Sequence, residues 1–189
     1  MSQALRLFLI ENEELAANQI CQVLEHSGQQ VAHCRTAADA LTVLGHTSFD
    51  LVLFDQNMPD ITGLDFLEAL AREGIAVPTL ILAVGGDDRL APRVLQAGAI
   101  DYVVRDSEGR FLDELPKRVQ SSLARHQLQT TNRVLLSSLE SARDGIMITD
   151  VQGVILYVNR ALEAMTGYTR EELQGKNPRI LRNEKNPPE

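Results

Sequence analysis

Five short apolar runs, each followed by a segment with helical periodicity, fill the first two thirds of this chain of 189 residues. Parallel strands need crossover connections, and the right-handed crossovers place helices on both faces of the sheet. This alternation therefore predicts an α/β fold built on a five-stranded parallel sheet. The expected strands are Leu5–Ile10, Val31–Cys34, Leu51–Phe54, Thr79–Val84 and Asp101–Arg105.

The connecting segments carry the start and stop signals of helices. Thr36 stands as an N-cap with Asp39 three residues later, and Gly74 closes a segment of ten residues. We expect helices at Glu13–His26, Thr36–Leu44, Leu64–Glu73 and Leu90–Ala97. The most compatible strand order is flavodoxin-like, 2-1-3-4-5, which makes strands one and three neighbours at the switch point.

The third apolar run delivers one carboxylate, Asp55, to a strand end, directly before a loop that contains Pro59 and Gly63. Ligands of open parallel sheets bind outside the carboxyl ends of the strands. An isolated Asp at such a place is more often an ordinary turn residue. The first strand, however, is followed by Glu11 and Asn12, which we expect to meet Asp55 across the switch point.

Oxygen ligands gathered at one edge suit a hard cation such as Mg²⁺. Glu11, Asn12 and Asp55 are the expected ligands, with the backbone carbonyl of Asn57 as a further one. A carboxylate beside Mg²⁺ can attack a phosphoryl donor, since the cation neutralises charge on the equatorial oxygens.

Composition excludes several other classes. The net charge of −8 argues against a nucleic-acid partner, which would call for a basic patch. No apolar run approaches the roughly 18 residues of a membrane span, and no secretory signal is visible. With only two cysteines and no C-x-x-C pair, the expected location is the cytoplasm.

The segment from Phe111 to about Ala142 is helical throughout, apart from Pro116, which a helix tolerates in its first turn. Apolar residues recur along it at heptad-like spacing, namely Leu128, Leu135 and Ala142, with Leu139 beside the seam. The pattern is weak, so two interpretations stay open: a homodimer through this connector helix and a solvated linker helix.

Residues 4–127 resemble a response-regulator receiver domain of two-component signalling. The resemblance rests on residues 7–12, the loop at 55–63, residues 77–82 and residues 96–104, which occur in the family's order and spacing. It implies Mg²⁺-dependent phosphoryl transfer from a histidine kinase or phosphotransfer protein. It also assigns Asp55 as the phosphoacceptor, Glu11 and Asn12 as the acidic pair, and Tyr102 as the aromatic switch residue.

Several positions depart from the family pattern. Asn12 replaces a carboxylate, and Ala83 stands where the family has a hydroxyl that binds the phosphoryl group. Arg105 replaces a lysine, which is not a neutral exchange. Asp106 follows it instead of proline, so a cis peptide is not expected there and a negative charge comes near the pocket.

The segment that signals to partners in the family also departs from the pattern. Pro92 should shorten or kink the fourth helix, and Gly85-Gly86 should loosen the loop before it. We therefore expect an atypical receiver whose switch apparatus is weakened.

Residues 144–150, 153–159, 165–173 and 175–181 are similar to the first half of a PAS sensor domain. The family's later strands are missing, so the piece is either part of a longer protein or a remnant. Pro178 stands where light-sensing relatives have a reactive cysteine, which excludes thiol photochemistry. We expect Asn159 and Asn177 to be turn and cap residues, and the tail from Asn183 to be frayed.

These expectations divide the chain into a receiver domain (1–127), a connector helix (128–143) and a partial α+β PAS domain (144–189). The leading function is a non-enzymatic signalling module that feeds a PAS-containing output domain. The alternative is a fully functional, Mg²⁺-dependent receiver phosphorylated at Asp55.

A phosphatase is disfavoured because its Asp-x-Asp pair would follow the first strand. A dinucleotide enzyme is disfavoured because Glu11–Glu14 replaces a glycine-rich turn.

Overall fold

A computed structural model describes residues 4–85, 89–106 and 108–182. The chain divides into two compact units, Met1–Gln127 and Leu128–Glu189. The expectations for Gly86 and for the tail from Asn183 lie outside the described residues. In the part of the chain that is described, no helix is both long and apolar enough to cross a bilayer.

The first unit contains a five-stranded parallel sheet in the order β2-β1-β3-β4-β5, which confirms the predicted topology. β1 and β3 pair directly, with Ile10 opposite Phe54, and β3 pairs with β4, with Asp55 opposite Leu82. The strands are β1 (Arg6–Ile10), β2 (Gln30–Cys34), β3 (Leu51–Asp55), β4 (Thr79–Val84) and β5 (Asp101–Arg105). All five residues of β3 are buried, as expected for the central strand.

Helices cover both faces of this sheet. Thr36 and Thr62 cap the second and third helices by accepting the backbone N–H of Asp39 and Asp65. The helices are α1 (Glu14–His26), α2 (Ala37–Leu44), α3 (Gly63–Arg72) and α4 (Leu90–Gln96). α4 has seven residues and Pro92 is its third, so this helix is short, as Pro92 predicts.

Two apolar clusters hold the sheet between its helices. On one face, Phe54 and Phe66 stack with ring centroids 4.3 Å apart. On the other face, Leu9 and Leu53 pack with residues of α1 and of the long helix α5 (Arg110–Ser141). The central strands are therefore buried on both faces, and ligands of such sheets bind at the carboxyl edge.

α5 starts at Arg110, so Pro116 lies in its second turn and not in the first turn, where a helix tolerates proline best. The Asp106 carboxylate accepts hydrogen bonds from the backbone N–H groups of Glu108, Arg110 and Phe111. This side chain caps the helix, which fixes its start one turn ahead of the proline.

The second unit contains a small antiparallel sheet of β6 (Met147–Thr149) and β7 (Ile155–Val158). Ile155, Val158 and Leu173 form its small buried core. Two short helices and a 3-10 helix follow: α6 (Arg160–Thr166), α7 (Arg170–Leu173) and Pro178–Leu181. As expected, Asn159 caps α6 and Asn177 caps the 3-10 helix.

Candidate functional site

Three charged side chains from three strands meet at the carboxyl edge of the parallel sheet. Asp55 is the last residue of β3, Arg105 is the last residue of β5, and Glu11 directly follows β1. Asp55 is only 3% exposed and Glu11 only 1%. Parallel strands end at a common edge, so residues far apart in sequence form one buried ionic cluster there.

The Arg105 guanidinium joins the two carboxylates. Its Nη1 atom donates to Glu11 Oε2 at 2.7 Å and to Asp55 Oδ1 at 3.4 Å. On its other side, the guanidinium carbon lies 5.8 Å from the ring centroid of Phe111 in α5. A single nitrogen therefore bridges both acids, and an aromatic ring limits where the guanidinium can move.

Glu11 is held in place by further hydrogen bonds. Its Oε1 atom accepts the backbone N–H of Glu13 at 2.9 Å, and its own N–H donates to the Cys34 carbonyl at 3.2 Å. His33 Nε2 lies 2.8 Å from the Glu11 carbonyl oxygen, which accepts a bond from it. Both carboxylate oxygens of Glu11 are therefore occupied by protein donors.

Asp55 has an unusual protonation equilibrium. Burial and the neighbouring Glu11 charge raise the pKa of its carboxyl from 3.8 to about 6, although Arg105 and the Asn57 backbone N–H oppose the rise. Perturbed carboxylates of this kind are concentrated at functional sites. The cluster can therefore present a carboxylate whose charge changes within one pH unit or so of neutrality.

Comparison with known families identifies the domain that contains this ionic cluster. A family model of the response regulator receiver domain matches residues 7–120, more than half of the chain. The chain belongs to this family. A second family model, the PAS fold, matches residues 135–188. Both resemblances derived from the sequence motifs are thereby confirmed.

Curated proteins similar to this chain are bacterial regulators. The transcriptional regulatory protein AfsQ1 of Streptomyces coelicolor is 29% identical over 143 residues, which cover 76% of this chain and 62% of AfsQ1. A nitrate/nitrite response regulator protein homolog of Haemophilus influenzae is 31% identical over 63% of this chain and 58% of its own length. The chain thus spans about three fifths of the length of these relatives.

Solved structures show the same fold in other receiver domains. The receiver domain of the Francisella response regulator 1452 superposes with a TM-score of 0.58 at 23% identity, covering 65% of this chain and 98% of that domain. A CheY-like receiver domain from Methanospirillum hungatei gives a TM-score of 0.58 at 21% identity, covering 67% of this chain and 99% of that domain. At these identities the likeness concerns the fold.

Receiver domains usually bind Mg²⁺ at the phosphorylation site. In this chain the two acids that would hold the ion are bonded to the Arg105 guanidinium. Among the described residues, no group of three acidic, histidine or cysteine side chains is arranged to hold a metal. In the part of the chain that the structure describes, Glu11 and Asp55 are the carboxylates that meet at the cluster, and both contact Arg105. Asn12 is half-exposed, and its carbonyl oxygen accepts a bond from Arg35 Nη2 at 3.3 Å.

The remaining positions assigned from the resemblance lie around the cluster. Asn57 is exposed, and its backbone N–H bonds to Asp55. Ala83 is buried in β4, one residue beyond the partner of Asp55, and offers no hydroxyl to the site. Tyr102 in β5 is half-buried and packs on the apolar cluster that contains Phe54 and Phe66.

The Asp106 carboxylate, which was expected to bring a negative charge near the pocket, instead caps the N-terminus of α5. Burial opposes ionisation, but the three backbone N–H bonds from α5 lower the pKa of this carboxyl. Its charge is thus turned toward the helix N-terminus. Sequence reasoning missed this cap, although the helical run that begins four residues later was a usable signal.

A second ionic cluster also escaped the sequence analysis. Asp101 begins β5 and accepts two hydrogen bonds from Arg118, at 2.8 and 3.2 Å, and a further one from Ser122. The spacing of Arg118, Ser122 and Arg125 on one helix face was the signal that could have indicated it. This cluster fastens α5 to the edge of the sheet.

Proposed function

We propose that this chain is a non-enzymatic signalling module of a two-component system, in which an atypical receiver domain is coupled to a PAS-containing output. Asp55 is the candidate phosphoacceptor, and a histidine kinase or phosphotransfer protein is the proposed partner. The observation that carries the proposal is the buried cluster of Glu11, Asp55 and Arg105 at the carboxyl edge of a receiver sheet.

Two features of the site support a weakened switch. Asn12 brings an amide where a third carboxylate would strengthen cation binding, and Ala83 brings no hydroxyl. Loss of a hydrogen bond to a charged group costs roughly 1.5–3 kcal/mol. A tenfold shift in a two-state population needs only about 1.4 kcal/mol. The missing hydroxyl is therefore enough to reduce the active-state population by an order of magnitude.

The long helix α5 supports the coupling between receiver and PAS segment. Its first part is fastened to the receiver unit, where Arg118 and Ser122 bind Asp101. Its last part is fastened to the PAS unit, where Asn159 Nδ2 donates to the Leu139 carbonyl at 3.0 Å. Both anchor points lie on α5, and we propose that this helix is the connection through which the receiver and the PAS segment are coupled.

The same helix supports a parallel homodimer. Leu128 and Leu135 are 64% and 56% exposed. Residues 128, 132 and 135 of α5 follow the alternating spacing of four and three that a coiled-coil seam requires, with Leu139 beside the seam. Ala142 lies one residue past the end of α5. Asn132 would occupy a core position, where a buried asparagine specifies register and favours dimers at some cost in stability. We propose that two chains pair through this seam.

The experiment that tests the proposed function is a time course of Asp55 modification by a small-molecule phosphodonor with Mg²⁺, followed by intact-mass analysis. We expect slow and incomplete addition of one phosphoryl group, and none in Asp55→Asn. The combined change Asn12→Asp, Ala83→Thr and Arg105→Lys should raise the rate at least tenfold. Fast stoichiometric modification of the unaltered chain would instead favour a fully functional receiver.

A further inference from the structure

We propose that Arg105 is a built-in cation that takes the place of a divalent metal between Glu11 and Asp55, so that this receiver keeps its site ordered without Mg²⁺. This inference rests on the proposed function, because it concerns how the atypical receiver site is neutralised. It follows from the disagreement between the metal that the family uses and the residues that this chain brings together.

The first argument is that Arg105 already contacts the carboxylate oxygens that a metal ion would need. Arg105 Nη1 lies 2.7 Å from Glu11 Oε2 and 3.4 Å from Asp55 Oδ1, which places one positive nitrogen between the two acids. Mg²⁺ requires oxygen ligands at about 2.0–2.1 Å in near-ideal octahedral geometry. An ion between the same two oxygens would overlap Nη1, so metal and guanidinium exclude each other.

The second argument is the charge. Glu11 and Asp55 carry two negative charges when both are ionised, and the Arg105 guanidinium supplies one positive charge. Receivers with a third carboxylate need more compensation, but here Asn12 is neutral. Counting the described residues, Arg105 leaves the cluster with a net charge of about −1 when both acids are ionised, which weakens its attraction for a divalent ion.

The third argument is that Arg105 is held where it is. Its side chain is 13% exposed, and its guanidinium faces the ring of Phe111 at 5.8 Å. The next residue, Asp106, is bonded to three backbone N–H groups of α5. To admit a metal, the side chain would have to leave two carboxylates and an aromatic contact at once.

The test is metal binding, measured by calorimetric titration with MgCl2 and by Mn²⁺-induced broadening of backbone NMR signals. For the unaltered chain we expect no saturable heat up to about 10 mM Mg²⁺ and no selective broadening at Glu11 or Asp55. Arg105→Met, which keeps much of the aliphatic length, should bind Mg²⁺ at least tenfold more tightly. Saturable binding to the unaltered chain below about 1 mM would overturn the inference.

A matched control separates charge from position. Arg110→Met removes the same charge from an exposed side chain that contacts Asp106 and Glu108, and not the buried acids. It should bind metal no better than the unaltered chain. If Arg105→Met does not fold, Arg105→Lys serves, because a smaller ammonium leaves room beside the acids, and we expect its metal affinity to rise too.

The two proposals fail in different ways. Tight Mg²⁺ binding together with slow phosphorylation would overturn the role of Arg105 and leave the atypical receiver in place. Absence of metal binding together with fast phosphorylation would uphold Arg105 and overturn the weakened switch. Equal metal affinities for Arg105→Met, Arg110→Met and the unaltered chain would also overturn the role of Arg105.

Discussion

Asn159 Nδ2 donates a hydrogen bond to the Leu139 carbonyl oxygen at 3.0 Å, which ties the last turns of α5 to the PAS segment. The same amide donates to the Asp144 carbonyl at 2.9 Å, and its Oδ1 atom accepts the Ile146 N–H at 2.8 Å. The residue is 0% exposed. One buried side chain therefore connects the helix, the turn that follows it and the start of β6.

Replacement of Asn159 by alanine should loosen this junction. The Leu139 and Asp144 carbonyls and the Ile146 N–H would lose their bonds to this side chain in partly buried surroundings. A fully buried group left unsatisfied costs about 1–3 kcal/mol, which is the upper bound here. We expect the Ile146 amide to exchange at least tenfold faster, while receiver amides in β1 and β3 keep their rates. Hydrogen exchange read by NMR measures both.

Asn177→Ala is the matched control for this prediction. Asn177 is also an asparagine cap, but it is exposed and bonds to Gly153 and Arg179. Its removal should leave Ile146 exchange unchanged. Equal acceleration by both variants would show that Asn159 has no special part in the junction.

The pKa of Asp55 predicts how stability depends on pH. Burial and Glu11 raise it from 3.8 to about 6, so the folded chain holds this proton more tightly than the unfolded chain. The stabilising contribution is complete below pH 3.8 and is lost as the pH rises through 6. At about 1.4 kcal/mol for each unit of pKa, ionised Asp55 costs the fold roughly 2–3 kcal/mol at pH 7.

We therefore expect Asp55→Asn to raise the free energy of unfolding at pH 7.5 by about 2 kcal/mol and to change it little at pH 4. Urea unfolding at both pH values measures the difference. Asp113→Asn, at an exposed carboxylate in α5, should show no such gain. An Asp55→Asn variant that is less stable than the unaltered chain at pH 7.5 would contradict the prediction.

The pH dependence of stability that comes from Asp101 should have the opposite sign to that from Asp55. Burial opposes ionisation, but Arg118, Ser122 and the Tyr102 N–H lower the pKa of this carboxyl. Its stabilising contribution is therefore present above the ordinary pKa of 3.8 and is lost as the pH falls through the lower folded value. Asp101→Asn should reduce the free energy of unfolding at pH 7 by about 1–2 kcal/mol, since Arg118 is half-exposed and screened.

The same urea titration measures this effect. The loss should shrink below pH 3.8, where the unaltered chain also begins to lose the charged pair. Asp113→Asn again serves as the control. A deficit that stays constant down to pH 2 would show that the lost stability comes from packing and not from the ion pair.

Much of the fold was predictable because the signals are local. The buried run Leu51–Asp55 and the cap Thr36 each indicate their element, and the strand order follows from the crossover rules. The start of α5 was predicted to within one residue, at Phe111 instead of Arg110, but the capping bonds of Asp106 appear only in three dimensions. Sequence could indicate that a capping residue was possible, but not which backbone groups it would bind.

The site was predictable in position and not in geometry. Glu11 and Asp55 were expected to meet because strands one and three are neighbours. Periodicity could not show that Arg105, fifty residues beyond Asp55, would bridge both acids with a single nitrogen. That contact depends on the length of the arginine side chain and on the ring of Phe111 beside it.

The proposed homodimer predicts a sharp effect of a single charge on the seam. Leu135→Glu places two like charges opposite each other in a parallel pair, so the sedimentation mass should fall from that of a dimer to that of a monomer. Ser137→Glu, on the same helix but away from the seam, should leave the dimer intact. A monomeric unaltered chain at high micromolar concentration would rule the pairing out.

The conformational response to a phosphoryl mimic tests the central claim most directly. Backbone NMR shifts are recorded with and without beryllium fluoride and Mg²⁺, for the unaltered chain and for the variant that combines Asn12→Asp, Ala83→Thr and Arg105→Lys. A weakened switch predicts small shifts near Asp55 that do not reach Tyr102 in the unaltered chain, and large shifts that reach Tyr102 in the variant. Large shifts at Tyr102 in the unaltered chain would contradict the account and show a receiver that switches fully.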